Sequence, residues 1–140
     1  MDTLEQALAE NSISKLMLVP KSDMHTHGGK GGRIKYFAEW ANALIKPPER
    51  PFNDLNDMKL WYHSNIKIHD NGIEGYLKRL EAAFVQAKED HITVFSLSFN
   101  IETIDYLGGI DTFINTLDYL HQTYAPETQY LPELSLFREC

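Results

Sequence analysis

The stretch VPKSDMHTHGGKGG, residues 19–32, decides the interpretation of this chain. If it runs as a strand, its side chains alternate between two faces, so that Asp23, His25 and His27 share one face. Two imidazoles then point at one spot, and neutral imidazole is the commonest metal-ligating side chain. The glycine-rich loop that follows leaves this spot open to solvent and substrate, as a catalytic metal site requires. The stretch therefore predicts a metal site at the end of a strand, with His25 and His27 as ligands.

The apolar pattern predicts three strands separated by helices. The histidine strand is reached through an apolar lead-in that starts at Leu16, and β-branched and aromatic runs predict strands over residues 92–99 and 130–137. Pairing of the last strand is expected to start after Pro132, because proline cannot donate to a ladder. Apolar residues at helical spacing predict helices over residues 3–9, 34–44, 55–62, 73–87 and 110–124, with Leu60, Trp61 and Tyr62 of the third helix in the core.

This alternation of strands and helices predicts an α/β fold with parallel strands. Each helical connection is long enough to return the chain for parallel pairing. Such units form either an open doubly wound sheet or a (β/α)8 barrel, and both folds place their sites at the carboxyl ends of the strands. The glycine loop follows HxH and contains no GxGxxG fingerprint, which favours a metal-binding barrel over a dinucleotide-binding sheet.

Composition narrows the range of partners and compartments. The chain has 140 residues, enough for one domain, and its formal net charge of −7 argues against a nucleic-acid partner. Neither a secretory signal nor an apolar run of membrane-spanning length appears, so we expect no membrane partner. The single cysteine, Cys140, suits a reducing compartment, and we expect a cytoplasmic protein.

The opening motif resembles that of a known family. Residues 19–27 carry the pattern Pro-Lys-x-acid-x-His-x-His and resemble the first barrel strand of the adenosine deaminase family in the amidohydrolase superfamily. The resemblance implies that His25 and His27 bind Zn²⁺ or another divalent metal, and that metal-activated water deaminates a small-molecule substrate, a purine nucleoside or a related aminated ring. It also implies a partial (β/α)8 TIM-type barrel: residues 1–140 would be the N-terminal portion of a metal-dependent hydrolase, with the first three parallel strands and their connecting helices.

The chain departs from that family after the histidines. The family follows HxH with Leu-x-Gly, which contacts the nucleoside, whereas residues 28–33 here read Gly-Gly-Lys-Gly-Gly-Arg. By position, the resemblance implies that Gly31 and Gly32 contact the substrate. The second strand carries Ser96 and Ser98 where the family often has a glutamate and an arginine. These departures leave the exact substrate open.

A hydrolytic zinc site needs about three protein ligands and one open position, and the other histidines are poorly placed to complete it. His91 lies at the opposite end of its strand, and His121 falls within a helix. His63 and His69 flank a loop and are expected to face solvent. At the correct strand ends, Glu139 is the one plausible ligand, although a solvated carboxylate is its simpler interpretation.

Two carboxylates remain as candidates for a supporting role. Asp23 and Glu133 could each orient an imidazole from the second coordination sphere, and Asp23 could equally be a buried hydrogen-bonding anchor. No residue is assigned as the catalytic acid or base, so we expect the isolated chain to be inactive. The alternatives are a PHP-type metal-dependent phosphoesterase and a non-catalytic interaction or remnant module. Unpaired strand edges also predict self-association.

Overall fold

The computed structural model describes residues 4–70 and 72–136. In chain order, the elements are α1 (Leu4–Ala9), α2 (Ile13–Leu18), β1 (Lys21–His27), α3 (Ile34–Trp40), α4 (Leu55–Asn65), α5 (Ile73–Glu89), β2 (Ile92–Asn100), α6 (Glu102–Tyr106), α7 (Ile110–Tyr124) and β3 (Gln129–Ser135). One turn of 3-10 helix, Lys67–His69, lies between α4 and α5. Within the described ranges, no helix is long and apolar enough to cross a membrane.

The three strands form one open parallel sheet in the order β1-β2-β3. The central strand, β2, pairs in parallel with β1 on one side and with β3 on the other. This arrangement confirms the predicted α/β class with three parallel strands joined by helices. In the described part of the chain, β1 and β3 each have one edge without a partner strand.

The hydrophobic core lies between β2 and the helices α5 and α7. Phe95, Leu97 and Phe99 alternate along β2 and are almost completely buried. They form one cluster with apolar residues of the two helices, namely Leu80, Ala83, Phe84, Ala87, Phe113, Leu117 and Leu120. Fully burying an apolar side chain of this size contributes roughly 1.5–3 kcal/mol. The helices that precede β2 and β3 therefore pack on the same face of the sheet.

Most of the apolar lead-in to the histidine strand is helical, because residues Ile13–Leu18 form α2. The Ser12 side chain caps α2 by accepting a hydrogen bond from the Lys15 amide at 3.3 Å. Val19 precedes Pro20 and is extended, with φ −71° and ψ 125°. Because proline disfavours a helical conformation in the residue before it, α2 ends at Leu18 and the strand starts only after Pro20.

Other helix predictions need smaller corrections. The long helices α5 and α7 match their predicted spans, but α3 ends at Trp40, four residues early, and Asn42 just beyond it has φ of +48°. The short helix α6 was not predicted. Leu60 of α4 is 68% exposed, so its assignment to the core is wrong.

The prediction that pairing of β3 starts after Pro132 is wrong. This proline lies opposite Leu97 in the middle of the ladder, and the register runs from Gln129 to Ser135. Since β3 is an edge strand, a residue without an amide hydrogen is tolerated there. Phe137, the last residue of the predicted strand, lies outside the described residues.

Candidate metal and substrate site

A bulge in β1 determines which side chains face the candidate site. Asp23 lies opposite Phe95 and Thr26 opposite Leu97, so three steps along β1 match two along β2. Asp23 and Thr26 thus both align with core residues, and the Thr26 hydroxyl donates a hydrogen bond to the Asp23 carboxylate. The predicted alternation is therefore wrong for Asp23, because an inserted residue shifts the faces of a strand.

Asp23 contacts backbone rather than an imidazole nitrogen. Besides the Thr26 hydroxyl, its carboxylate accepts a hydrogen bond from the amide of His25 at 3.2 Å. This contact fixes the turn of the backbone within the bulge. Of the two roles considered for Asp23, the geometry favours the hydrogen-bonding anchor over a group that orients a metal ligand.

The two histidines of the motif do come together. The ring centroids of His25 and His27 lie 4.9 Å apart, with the planes at 80°. His27 aligns with Ser98 of β2, whose neighbours in sequence, Leu97 and Phe99, point into the core. The imidazoles therefore lie on the face of the sheet opposite to α5 and α7, at the carboxyl end of β1.

Glu133 of β3 reaches this pair across the central strand. Its carboxylate lies 3.2 Å from Nδ1 of His25, and in the register of the sheet it sits opposite Ser98. The buried Ser96 hydroxyl and the His25 imidazole together lower the pKa of Glu133 below its ordinary value. Within the described residues, the Ser96 hydroxyl makes no hydrogen bond of standard geometry. Glu133 thus occupies the position of a group that orients a metal-ligating imidazole.

The surroundings of His27 favour its neutral imidazole. Partial burial, the neighbouring His25 and the charge of Lys30 all lower the pKa of His27 below its ordinary value. A lowered pKa means that the imidazole loses its proton at a more acidic pH. Since a metal competes with the proton for the same nitrogen lone pair, this favours metal binding near neutral pH.

The remaining histidines do not join the pair. His91 lies at the amino end of β2, where its carbonyl accepts the Lys21 amide, and His121 contacts the Thr128 carbonyl at 2.9 Å. His63 of α4 is exposed but lines a cavity beside His27. Glu139, the candidate ligand at the end of the third strand, lies outside the described residues.

The donor set tests how far this site fits zinc. Within residues 4–70 and 72–136, no group of three or more His, Cys, Asp or Glu side chains is arranged to hold a metal ion. Two imidazoles and an orienting carboxylate suit zinc chemically, but a hydrolytic site needs about three protein ligands. The described residues therefore offer two candidate imidazole ligands at this edge, fewer than such a site needs.

The first glycines after β1 form the wall of the site. The Gly28 amide continues the pairing with β2 by donating to the Ser98 carbonyl at 2.8 Å. A Cβ at Gly28 would lie 2.4 Å from the Phe99 ring, so a larger residue there would force the ring or the backbone to shift. The Gly29 carbonyl accepts hydrogen bonds from the Tyr62 hydroxyl at 2.8 Å and from Nε of Arg79 at 2.7 Å. Helices α4 and α5 thereby hold this loop in place.

Gly31 and Gly32, predicted to contact substrate, both lie close to neighbouring atoms. A Cβ at Gly31 would overlap the Thr26 side chain, and one at Gly32 would lie 2.7 Å from Ala82 of α5. Neither residue lines the cavity beside His27, whereas Gly28 and Gly29 do. Close approach to neighbouring atoms therefore explains why glycine occupies both positions, and their contact with substrate stays a prediction.

A cavity of about 320 Å³ opens next to the histidines. Its walls come from the end of β1, the glycine loop, α4, α5 and the end of β2. They include His27, Lys30, Lys59, Tyr62, His63, Lys67, Tyr76, Arg79, Ser98 and Asn100. The volume lies at the lower end of the range for small-molecule sites, and the position matches the carboxyl edge of a parallel sheet, where α/β proteins bind their ligands.

Comparisons of this chain with family models, with curated proteins and with solved structures found no match.

Sequence reasoning missed the residues that α4 and its surroundings bring to the site. Lys59 and His63 are four apart on α4 and so share one face of the helix. That spacing was visible in the sequence, but the neighbouring Leu60, Trp61 and Tyr62 suggested a core helix. The contribution of Lys67 and Arg79 depends on the path of the chain after α4, and no local pattern gives it.

Proposed function

We propose that this chain provides the metal-binding part of a deaminase-type metal-dependent hydrolase. The observation that carries the proposal is the meeting of His25 and His27 at the carboxyl end of β1, with Glu133 3.2 Å from His25 Nδ1. In this arrangement His25 keeps Nε2 for a metal while Nδ1 faces a carboxylate, as metal-ligating histidines commonly do. The motif's resemblance to the adenosine deaminase family selects hydrolytic deamination of an aminated ring as the reaction.

The topology supports a barrel as the setting for this site. The strand order is sequential, and both α5 and α7 pack on one face of the sheet. A doubly wound sheet places helices on both faces and reverses its strand order, whereas a (β/α)8 barrel keeps its helices outside and its order sequential. We therefore propose that the three strands are an arc of such a barrel, with the histidines on its inner face.

The residues of the site then have distinct tasks. His25 and His27 would hold a divalent metal, whose chemistry is to lower the pKa of a bound water towards neutrality. Glu133 would fix the ring orientation of His25, and Asp23 the backbone of the bulge that turns both imidazoles to the same face. Proton transfer to the ring nitrogen of an aminated substrate needs a further acid or base, and no residue is assigned to that task here.

Zinc binding is the direct test of the site. Calorimetric titration of the metal-free chain should give weak binding, since two ligands are in place, and His25→Ala or His27→Ala should abolish it. Both side chains are exposed, so each variant should keep its fold, which circular dichroism can check. His91→Asn is the matched control, because His91 lies at the opposite strand end and its φ of +53° is one that asparagine tolerates. Binding that survives both substitutions would overturn the site.

Product release tests the reaction. The zinc-loaded 140-residue chain, and any longer product of the same gene, are assayed for ammonia from adenine and guanine derivatives and for phosphate from phosphate monoesters. We expect no release from the shorter chain and ammonia from the longer. Ammonia from the short chain would mean that its ligand set is complete. Phosphate release would overturn the proposal in favour of a PHP-type phosphoesterase. Release of neither ammonia nor phosphate by a zinc-loaded longer product would favour a non-catalytic module.

A further inference from the structure

The cavity beside His27 concentrates positive charge in an acidic protein. Lys30, Lys59, Lys67 and Arg79 line it, and the described lining includes no aspartate or glutamate. The chain as a whole has a formal net charge of −7. Four cations around one small cavity repel each other and therefore reduce stability unless an anion offsets them.

The protein supplies only part of that compensation. Asp70 forms an ion pair with the buried Arg79 and lies 3.5 Å from Nζ of Lys67, so one carboxylate serves two cations. Among the described residues, Lys30 and Lys59 have no carboxylate within ion-pair distance. The cavity thus keeps a surplus of positive charge.

The incomplete compensation also affects the lysine nearest to Arg79. Partial burial and the charge of Arg79 lower the pKa of Lys67 below its ordinary value. Such a shift means that the surroundings of Lys67 disfavour its protonated, positively charged form. An anion placed between these side chains would relieve that penalty.

We infer that this cavity binds the anionic group of a ligand, with a phosphate monoester as the best match. Lys30 from the glycine loop and Lys59 from α4 would contact its oxygens from two sides, and His63 extends the same face of α4. A phosphate dianion balances the surplus charge better than a carboxylate does, and lysine binds phosphate as a point charge.

The loop at the cavity is held in place, and the cavity extends towards the histidines. The Gly29 carbonyl is held by Tyr62 of α4 and Arg79 of α5, so the loop that carries Lys30 is fixed relative to both helices. The cavity also continues past His27 to Ser98 and Asn100 at the end of β2, where neutral polar groups replace the cations. An anionic ligand would therefore extend from the lysines towards the histidine pair. Only this last step, which makes the ligand a phosphorylated substrate, rests on the proposed function.

Binding of inorganic phosphate and methyl phosphate to the metal-free chain tests the inference, with acetate as the carboxylate probe. Amide resonances of the glycine loop and of α4 should shift saturably with phosphate in ¹H–¹⁵N spectra, and less with acetate. Lys30→Gln and Lys59→Gln should each weaken phosphate binding about fivefold, as expected for one exposed ion pair. Lys46→Gln is the matched control, because Lys46 is exposed and lies outside this cavity.

The outcomes separate this inference from the proposed function. Absence of a saturable shift, or equal effects of Lys59→Gln and Lys46→Gln, would overturn anion binding at this cavity. A stronger response to acetate than to phosphate would replace the phosphate monoester with a carboxylate ligand. His25→Ala should remove zinc binding and leave phosphate binding unchanged. Phosphate binding in a chain that binds no zinc would leave the inference standing and refute the metal site.

Discussion

Replacing Glu133 with glutamine tests whether the carboxylate supports metal binding at His25. The carboxylate lies 3.2 Å from His25 Nδ1, and glutamine retains an acceptor oxygen but removes the negative charge. Loss of a carboxylate that orients a metal-ligating imidazole costs between tenfold and a hundredfold in metal affinity, or about 1.4–2.8 kcal/mol. The side chains of His25 and Glu133 are 58% and 42% exposed, so solvent screens their interaction. We therefore expect the lower end of this range, about tenfold.

The assay is competition for zinc against a chromogenic chelator whose affinity for zinc is close to that of the site. Glu127→Gln is the matched control, since it removes the same charge from an exposed residue just before β3, at the opposite end of the strand. Glu133→Ala, which also removes the acceptor, should weaken binding at least as much as Glu133→Gln. Equal zinc affinity in the unmodified chain and both Glu133 variants would refute the supporting role. A loss well above a hundredfold would instead make Glu133 a direct ligand.

Three further predictions address packing, pH dependence and association. Gly28→Ala should destabilise the fold by roughly 1–3 kcal/mol through overpacking, because its Cβ would lie 2.4 Å from the buried Phe99 ring; an unchanged urea midpoint would contradict that contact. The Asn53 amide and Arg50 lower the pKa of Asp57, so its stabilising effect is present above the ordinary value of 3.8 and is lost as pH falls through the lowered pKa. Acid titration of unfolding should accordingly be flatter for Asp57→Asn, and an identical profile would exclude that contribution. Among the described residues β1 and β3 each have an unpaired edge, which predicts self-association; sedimentation showing a stable monomer would contradict it.

The sequence predicted the secondary structure correctly in long segments with one clear pattern of apolar residues. The stripe from Ile73 to Ala87 and the β-rich run from Ile92 to Phe99 became α5 and β2, which form most of the core. Short apolar runs were less reliable, since residues 16–19 fit a strand or a helix equally well. There the Ser12 cap and Pro20 decided the outcome in favour of a helix. Position within the sheet, which no local pattern specifies, explains why Pro132 is accommodated in β3.

Only the part of the candidate site that is formed by residues close in sequence was predictable. His25 and His27 are two apart and meet as expected, but the bulge that directs Asp23 elsewhere depends on pairing with β2. Glu133 is 108 residues from His25, and only the strand order places it beside the imidazole. The same holds for the cationic cavity, whose lysines come from separate segments. Sequence reasoning thus finds candidate ligands within one strand and misses groups that the tertiary fold brings together.

The histidine pair and the cationic cavity would influence each other through charge. Lys30 lines the cavity and also contributes to lowering the pKa of His27. A divalent metal at the imidazoles would face the repulsion of the same lysine, whereas an anion in the cavity would offset that charge. Metal and anion, having opposite charges, should therefore bind with positive coupling, and by linkage each must raise the affinity for the other by the same factor. Such coupling gives a physical reason for a site with only two protein ligands to favour an anionic substrate. The bound substrate would strengthen the metal binding that two imidazoles alone would provide only weakly.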